Sequence, residues 1–213
     1  MLLSYYNDHH STTKWLQKIS TYIEWNEVWQ SVHNPLSSED TTTLIWEQIH
    51  LNMYTTHSYN KWHKSEDPCP LCNTTPLDEF HITLHCTTVQ NLWKEIEPHL
   101  LQIHPVPITE HEMAFGIPGK TKNITLRNWL TFLLRSIIAQ QERIAYHNKK
   151  GQHNEIEIKI NYNEEVKRQV WQHLNMLKNL DRLGFFQASF AVNDYLITWQ
   201  QGQWQILTIF PIT

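Results

Sequence analysis

Three cysteines and a histidine stand at metal-ligand spacing in the chain: Cys69-Pro70-Leu71-Cys72, then His81, then Cys86, a C-x2-C-x8-H-x4-C pattern. The 213 residues contain no other cysteine. Three thiolates and one imidazole form a closed tetrahedral donor set, suited to a structural Zn²⁺ and leaving no open position for a reacting water. Two cysteines separated by two residues can place both sulfurs on one metal, with the intervening backbone N–H groups stabilising the thiolate charge. His81 and Cys86 fit less simply. Five residues along a straight α-helix turn them about 140° apart, so the spacing predicts a turn or a helix end between them. His85 is a rival fourth ligand, but its adjacency to Cys86 makes simultaneous chelation awkward, and His81 is the preferred reading. The alternative is three buried apolar cysteines and a surface histidine; the clustering of every cysteine favours the metal.

A second set of residues could bind phosphates. Residues 120–150 hold Lys120, Lys122, Arg127, Arg135, Arg143, Lys149 and Lys150 against Glu142 alone, a net charge of +6 in a chain of net charge −4. The first 119 residues hold 14 acidic and 5 basic groups, net −9. Arg127, Arg135 and Arg143 recur every eight residues, so successive arginines step about 80° around a helix and fan over one side. Lysines and arginines so placed could contact RNA or DNA; the competing reading is a solvated polar face.

Catalytic signatures are sparse. No glycine-rich phosphate loop occurs. Glu157-Ile158-Lys159 has the acid-x-Lys form of some nucleases, but no Pro-Asp precedes it, and no paired-aspartate polymerase element is present. No enzymatic activity is expected. No apolar run reaches the roughly 20 residues of a membrane span, and no membrane partner is expected. Residues 1–10 lack signal-peptide character. Three clustered cysteines predict a metal site in a reducing, intracellular setting rather than a disulfide framework.

The elements that must hold these residues read as mainly α-helical. Helical spacing runs through 12–32, with Thr12 or Thr13 as N-cap and Trp15, Leu16, Ile19, Tyr22 and Ile23 on one face. Asn34-Pro35 ends it, and Ser38 caps a helix bearing Leu44, Ile45, Ile49 and Met53. Core packing is the expected role of Trp15, Trp25 and Trp29 in this stretch; base stacking is the sharper alternative. Residues 54–68 read as a polar, aromatic connector. After Cys86, Thr87 or Thr88 caps a helix with Val89, Leu92, Trp93, Ile96 and Leu100 on one face. Residues 104–123 read as a loop, and a long helix follows from about Thr125 to His147, with Ile144 on its apolar face. A short strand is expected over 155–160, then a helix over 163–183 closed by Gly184. Tyr195 to Trp199 and Trp204 to Ile209 read as a terminal β-hairpin. Three regions follow: a helical one over 1–66, a zinc knuckle with its following helix over 67–103, and a helical one ending in the hairpin over 104–213.

The cluster and its surroundings resemble the zinc-binding region downstream of the polymerase in non-LTR (LINE-type) retrotransposon reverse transcriptases. The matching phrases are Cys69-Pro70-Leu71-Cys72, Glu79-Phe80-His81 through His85-Cys86, and Leu92-Trp93. The stretch Leu44 to Trp62 upstream is similar, as are Phe115-Gly116-Ile117 and Asn128-Trp129 through Ile137-Ile138 with Arg143 downstream. The resemblance runs from about residue 25 to about 150, and the knuckle is its most specific part. It implies that Cys69, Cys72, His81 and Cys86 are zinc ligands in a nucleic-acid-binding module that lacks the polymerase. RNA or DNA and other parts of a retroelement protein are the implied partners. The alternative is a structural or protein-interaction fragment of such a protein with no nucleic-acid binding of its own.

Overall fold

Side-chain capping decides where several of the helices begin. The Glu24 carboxylate accepts from the backbone N–H of Asn26, and the hydroxyls of Ser38, Thr55 and Thr109 accept from those of Thr41, Ser58 and Glu112. Each satisfies an N–H group that the first helical turn leaves unpaired. A computed structural model describes residues 4–19, 22–75, 77–148, 155–179, 190, 196–201 and 203–211. The chain is mainly helical, as expected from its pattern. In order come α1 (Ser4–Ile19), α2 (Trp25–Val32), α3 (Glu39–Ile49), α4 (Thr56–His63), a π-helical turn (His81–His85), α5 (Thr87–Ile103), α6 (Glu110–Phe115), α7 (Lys122–Asn148) and α8 (Glu155–Asn179). Strands β1 (Ile197–Gln200) and β2 (Gln203–Ile206) close as an antiparallel hairpin, with Ile197 opposite Ile206 and Trp199 opposite Trp204.

Several local expectations are corrected. Thr12 and Thr13 lie inside α1, and Tyr22 is exposed between α1 and α2. The connector expected over 54–68 contains α4, and the loop over 104–123 contains α6, because Thr55 and Thr109 supply caps. Neither Thr87 nor Thr88 caps α5; Cys86 holds that position, and the Thr88 hydroxyl donates instead to the Leu71 carbonyl, 2.9 Å away. The strand expected over 155–160 is the first part of α8, where Ile158 and Tyr162 are buried one turn apart. Ile144 faces outward, not into the core, and Trp171 on α8 is likewise exposed. The Gly184 cap lies outside the described residues.

Two hydrophobic cores organise the chain. One joins Trp15, Val28, Val32, Ile45 and Ile49 to Phe80, Leu84, Phe115 and Phe132. The other joins Leu36, Cys69, Ile82, Cys86 and the apolar face of α5 to α7, α8 and the hairpin. Each core draws on all three of the regions 1–66, 67–103 and 104–213. Trp15, Trp93 and Trp129 are fully buried in them, as core packing requires. The Trp129 indole donates to Gln169 on α8 at 2.8 Å, and that of Trp15 to the Ile49 carbonyl at 2.8 Å.

Gly116 is a tightly constrained point in the turn between α6 and α7. Gly116 has φ +78°, and a Cβ there would lie 2.9 Å from both Asn128 Oδ1 and Phe132 Cζ. The Asn128 amide brackets the next residue, accepting from Ile117 N–H and donating to Ile117 C=O, each at 2.8 Å. Gly116→Ala combines a disfavoured backbone with a clash against that amide, and is expected to destabilise the chain by about 1–3 kcal/mol in denaturant titration.

Candidate metal centre

The first pair of cysteines sits on a tight turn. The Asn73 N–H donates to the Cys69 carbonyl at 2.7 Å, and the Cys69 N–H to the Thr74 carbonyl at 3.1 Å. Asn73 closes the turn with φ 58°, a left-handed conformation that asparagine tolerates better than most residues. The backbone N–H that faces the Cys69 sulfur and favours its thiolate is that of Cys72 itself, not of an intervening residue, and Pro70 has no N–H to offer.

The second pair is joined by the π-turn. The Cys86 N–H donates to the His81 carbonyl at 2.7 Å, an i→i+5 bond. The wider turn brings residue i+5 back over residue i, which an α-helical turn does not do, and so resolves the angular mismatch between His81 and Cys86. Phe80 and Leu84 enter the first core, while Ile82 and Cys86 enter the second. The π-turn therefore lies where the two cores meet, in contact with α5, α6 and α7.

The ligand atoms of Cys69, Cys72, His81 and Cys86 all lie within 4.8 Å of one another. Cys69, His81 and Cys86 are buried, and Cys72 is half-buried. His81 Nε2 is 3.3 Å from the Cys72 sulfur. Hydrogen bonding to Cys86 and burial push the Cys69 thiol far above its ordinary range. Burial pulls His81 down, but the Cys69 and Cys72 sulfurs outweigh it and hold the imidazole above its usual value. A divalent cation among the three sulfurs would take them as thiolates. The four residues could thus hold a metal ion. The rival His85 points elsewhere: its Nδ1 is 3.1 Å from the Asp78 carboxylate. Glu79, the acidic residue beside the histidine, pairs with Lys14 on α1 at 2.7 Å.

The basic block is divided. Arg127 is wholly buried and forms two 2.6 Å bonds to the Glu112 carboxylate. Arg135 is also buried; one of its N–H groups donates to the Ala114 carbonyl at 2.7 Å. With no acidic partner among the described residues to offset burial, its guanidinium falls to about 9. Neither arginine presents a free cation to solvent, which corrects the expectation that all three fan over one exposed side. The reason is packing: α6, read as loop from the sequence, covers that face of α7 and supplies both Glu112 and Ala114. Lys120, Lys122 and Arg143 are exposed. Lys149 and Lys150 lie outside the described residues. Glu142, the block's one acid, is buried and accepts from both the N–H and hydroxyl of Thr56, which fixes the N-terminus of α4 to α7. Lys159 of the acid-x-Lys triplet lies on α8 and pairs with Glu95 and Glu155. Among the described residues, no helix is long and apolar enough to cross a membrane.

Compared with family sequence models, with curated proteins and with solved structures, the chain finds no match.

Proposed function

We propose that the chain is a zinc-stabilised nucleic-acid-binding module, akin to the C-terminal part of a retrotransposon reverse transcriptase without its polymerase. The convergence of four donor atoms at the meeting of two cores carries this reading. Three sulfurs and one imidazole nitrogen are a soft donor set suited to tetrahedral Zn²⁺. All four positions are filled by protein, so the metal would fasten the knuckle to α5 and perform no hydrolysis. A reducing compartment would keep the thiols available.

Among the described residues of the basic block, the exposed cations Lys120, Lys122 and Arg143 are the ones placed to contact phosphates. Titrating single-stranded RNA and DNA 12-mers across salt tests the reading. Three contacts predict a slope of about −2 in log affinity against log salt, a loss on the order of tenfold between about 50 and 200 mM. Absence of binding at the lowest salt overturns it. A structural or protein-interaction fragment is the second reading, favoured by the burial of Arg127 and Arg135. It predicts self-association without nucleic acid in sedimentation experiments.

A further inference from the structure

α4 presents an unusual surface. Its sequence, Thr56–His63, contains no aliphatic residue, yet it carries Tyr59, Trp62 and His63. Tyr59 stacks on Tyr146 of α7 with ring centroids 4.4 Å apart and planes within 5°. Trp62 meets Tyr54 and Tyr59 edge-on at 5.3 and 6.0 Å. The Tyr59 hydroxyl lies 2.9 Å from His147 Nε2. Trp62 is 58% exposed and Tyr54 47%. These outward rings all carry polar atoms, so the patch is unlike the aliphatic surface of a cut core. Lys61, Lys64 and Arg143 border it, and none has an acidic partner among the described residues. Asp67 lies against Tyr146 in the same patch, so ring faces rather than net charge dominate the surface.

On the knuckle side, Trp62 also lines a cavity of about 180 Å³, together with Lys14, Gln48, Asn52, Lys61 and Thr83. Gln48 is only 5% exposed, and its side-chain oxygen has no hydrogen-bond partner. That oxygen is itself closed to solvent, so the polar groups offered to the cavity come from its neighbours. The cavity falls below the roughly 300 Å³ at which sites for drug-sized ligands begin, and suits a single heteroaromatic ring. An aromatic wall and nearby hydroxyl and amide groups, from Thr83 and Asn52, are what an unstacked nucleobase uses: one face to stack and one edge to pair.

We infer that the face formed by Tyr54, α4 and the end of α7 is a stacking site for single-stranded nucleic acid, and that the adjoining cavity takes one base. This rests on the nucleic-acid reading above and gives it a location. Bases in a duplex already cover one another's faces, so the site selects unpaired strands.

The test uses the full zinc-loaded chain and 12-mer RNA and DNA strands with a central 2-aminopurine, whose emission falls on stacking. The wild type is expected to quench the probe, and duplex competitor to displace it poorly. Trp62→Ala and Tyr54→Ala are each expected to weaken binding about 5- to 100-fold and to abolish the quench. Asn52→Trp, which fills the cavity from its exposed rim, is expected to weaken binding as well. Trp171→Ala, which removes a comparably exposed tryptophan from α8, is expected to bind as wild type. Unchanged zinc content and helical signal in each variant separate loss of contact from loss of fold. Wild-type protein that binds no strand at low salt overturns both this inference and the nucleic-acid reading. Wild-type binding that survives Trp62→Ala and Tyr54→Ala, or that duplex competes equally well, overturns the inference alone. So does self-association of the wild type that Trp62→Ala abolishes while strand binding persists.

Discussion

Cys86→Ser is expected to abolish metal binding and to unfold the knuckle together with the start of α5. Cys86 is wholly buried, ends the π-turn, and stands at the N-cap of α5. Its N–H closes the π-turn on His81 and its carbonyl accepts from Gln90 N–H at 2.9 Å. Serine keeps this backbone and nearly the same shape, so the change isolates the sulfur. Binding of a structural zinc ion contributes on the order of 10 kcal/mol, and that free energy is folding free energy where the site does not persist in the unfolded chain. A three-ligand remainder loses much of it. The loss should appear as zinc content near zero and as reduced helical signal and cooperativity in thermal melts. Cys72→Ser should lose zinc as well but disturb packing less, because Cys72 is half-buried at the core's edge. A Cys86→Ser protein that retained zinc and melted like the wild type would refute the assignment.

Glu112→Leu is expected to cost about 3–5 kcal/mol, the range for removing one partner of a buried ion pair. Arg127 is fully enclosed and holds Glu112 through two parallel N–H···O bonds, while its remaining N–H group donates to the carbonyls of Leu100 and His104. It thus fastens α6 to α7 and satisfies carbonyls at the end of α5. Burial pushes the Glu112 carboxyl upward while Arg127 opposes the shift. Removing the carboxylate leaves an uncompensated cation in the interior. The double variant Glu112→Leu with Arg127→Met should recover most of the lost stability, since an apolar pair of similar volume has no charge to desolvate. Urea denaturation of both single variants and the double variant yields the coupling; additive losses would contradict a pair acting as a unit.

The parts of this fold that were legible in the sequence are those that local chemistry dictates. The four candidate ligands were readable because all three cysteines cluster, and the spacing from His81 to Cys86 required something other than an α-turn. The kind of turn was not readable: the π-turn is set by Phe80, Ile82 and Leu84 entering two different cores, a tertiary demand. α4 was missed because its residues are polar and aromatic, with no apolar stripe; Thr55 and the link from Thr56 to Glu142, 86 residues away, hold it in place. α6 is too short for periodicity to show. Missing it hid the fate of Arg127 and Arg135, whose partners Glu112 and Ala114 lie on it. In α8, alternation over a few residues imitated a strand, although Ile158 and Tyr162 already stood at helical spacing.

Zinc content itself tests the central claim most directly. Elemental analysis of the full chain, purified under reducing conditions without chelator or added metal, is predicted to find one zinc per chain, with none in the Cys86→Ser variant. Wild-type protein that is folded and free of zinc, or zinc retained when Cys86 is replaced, would contradict the account.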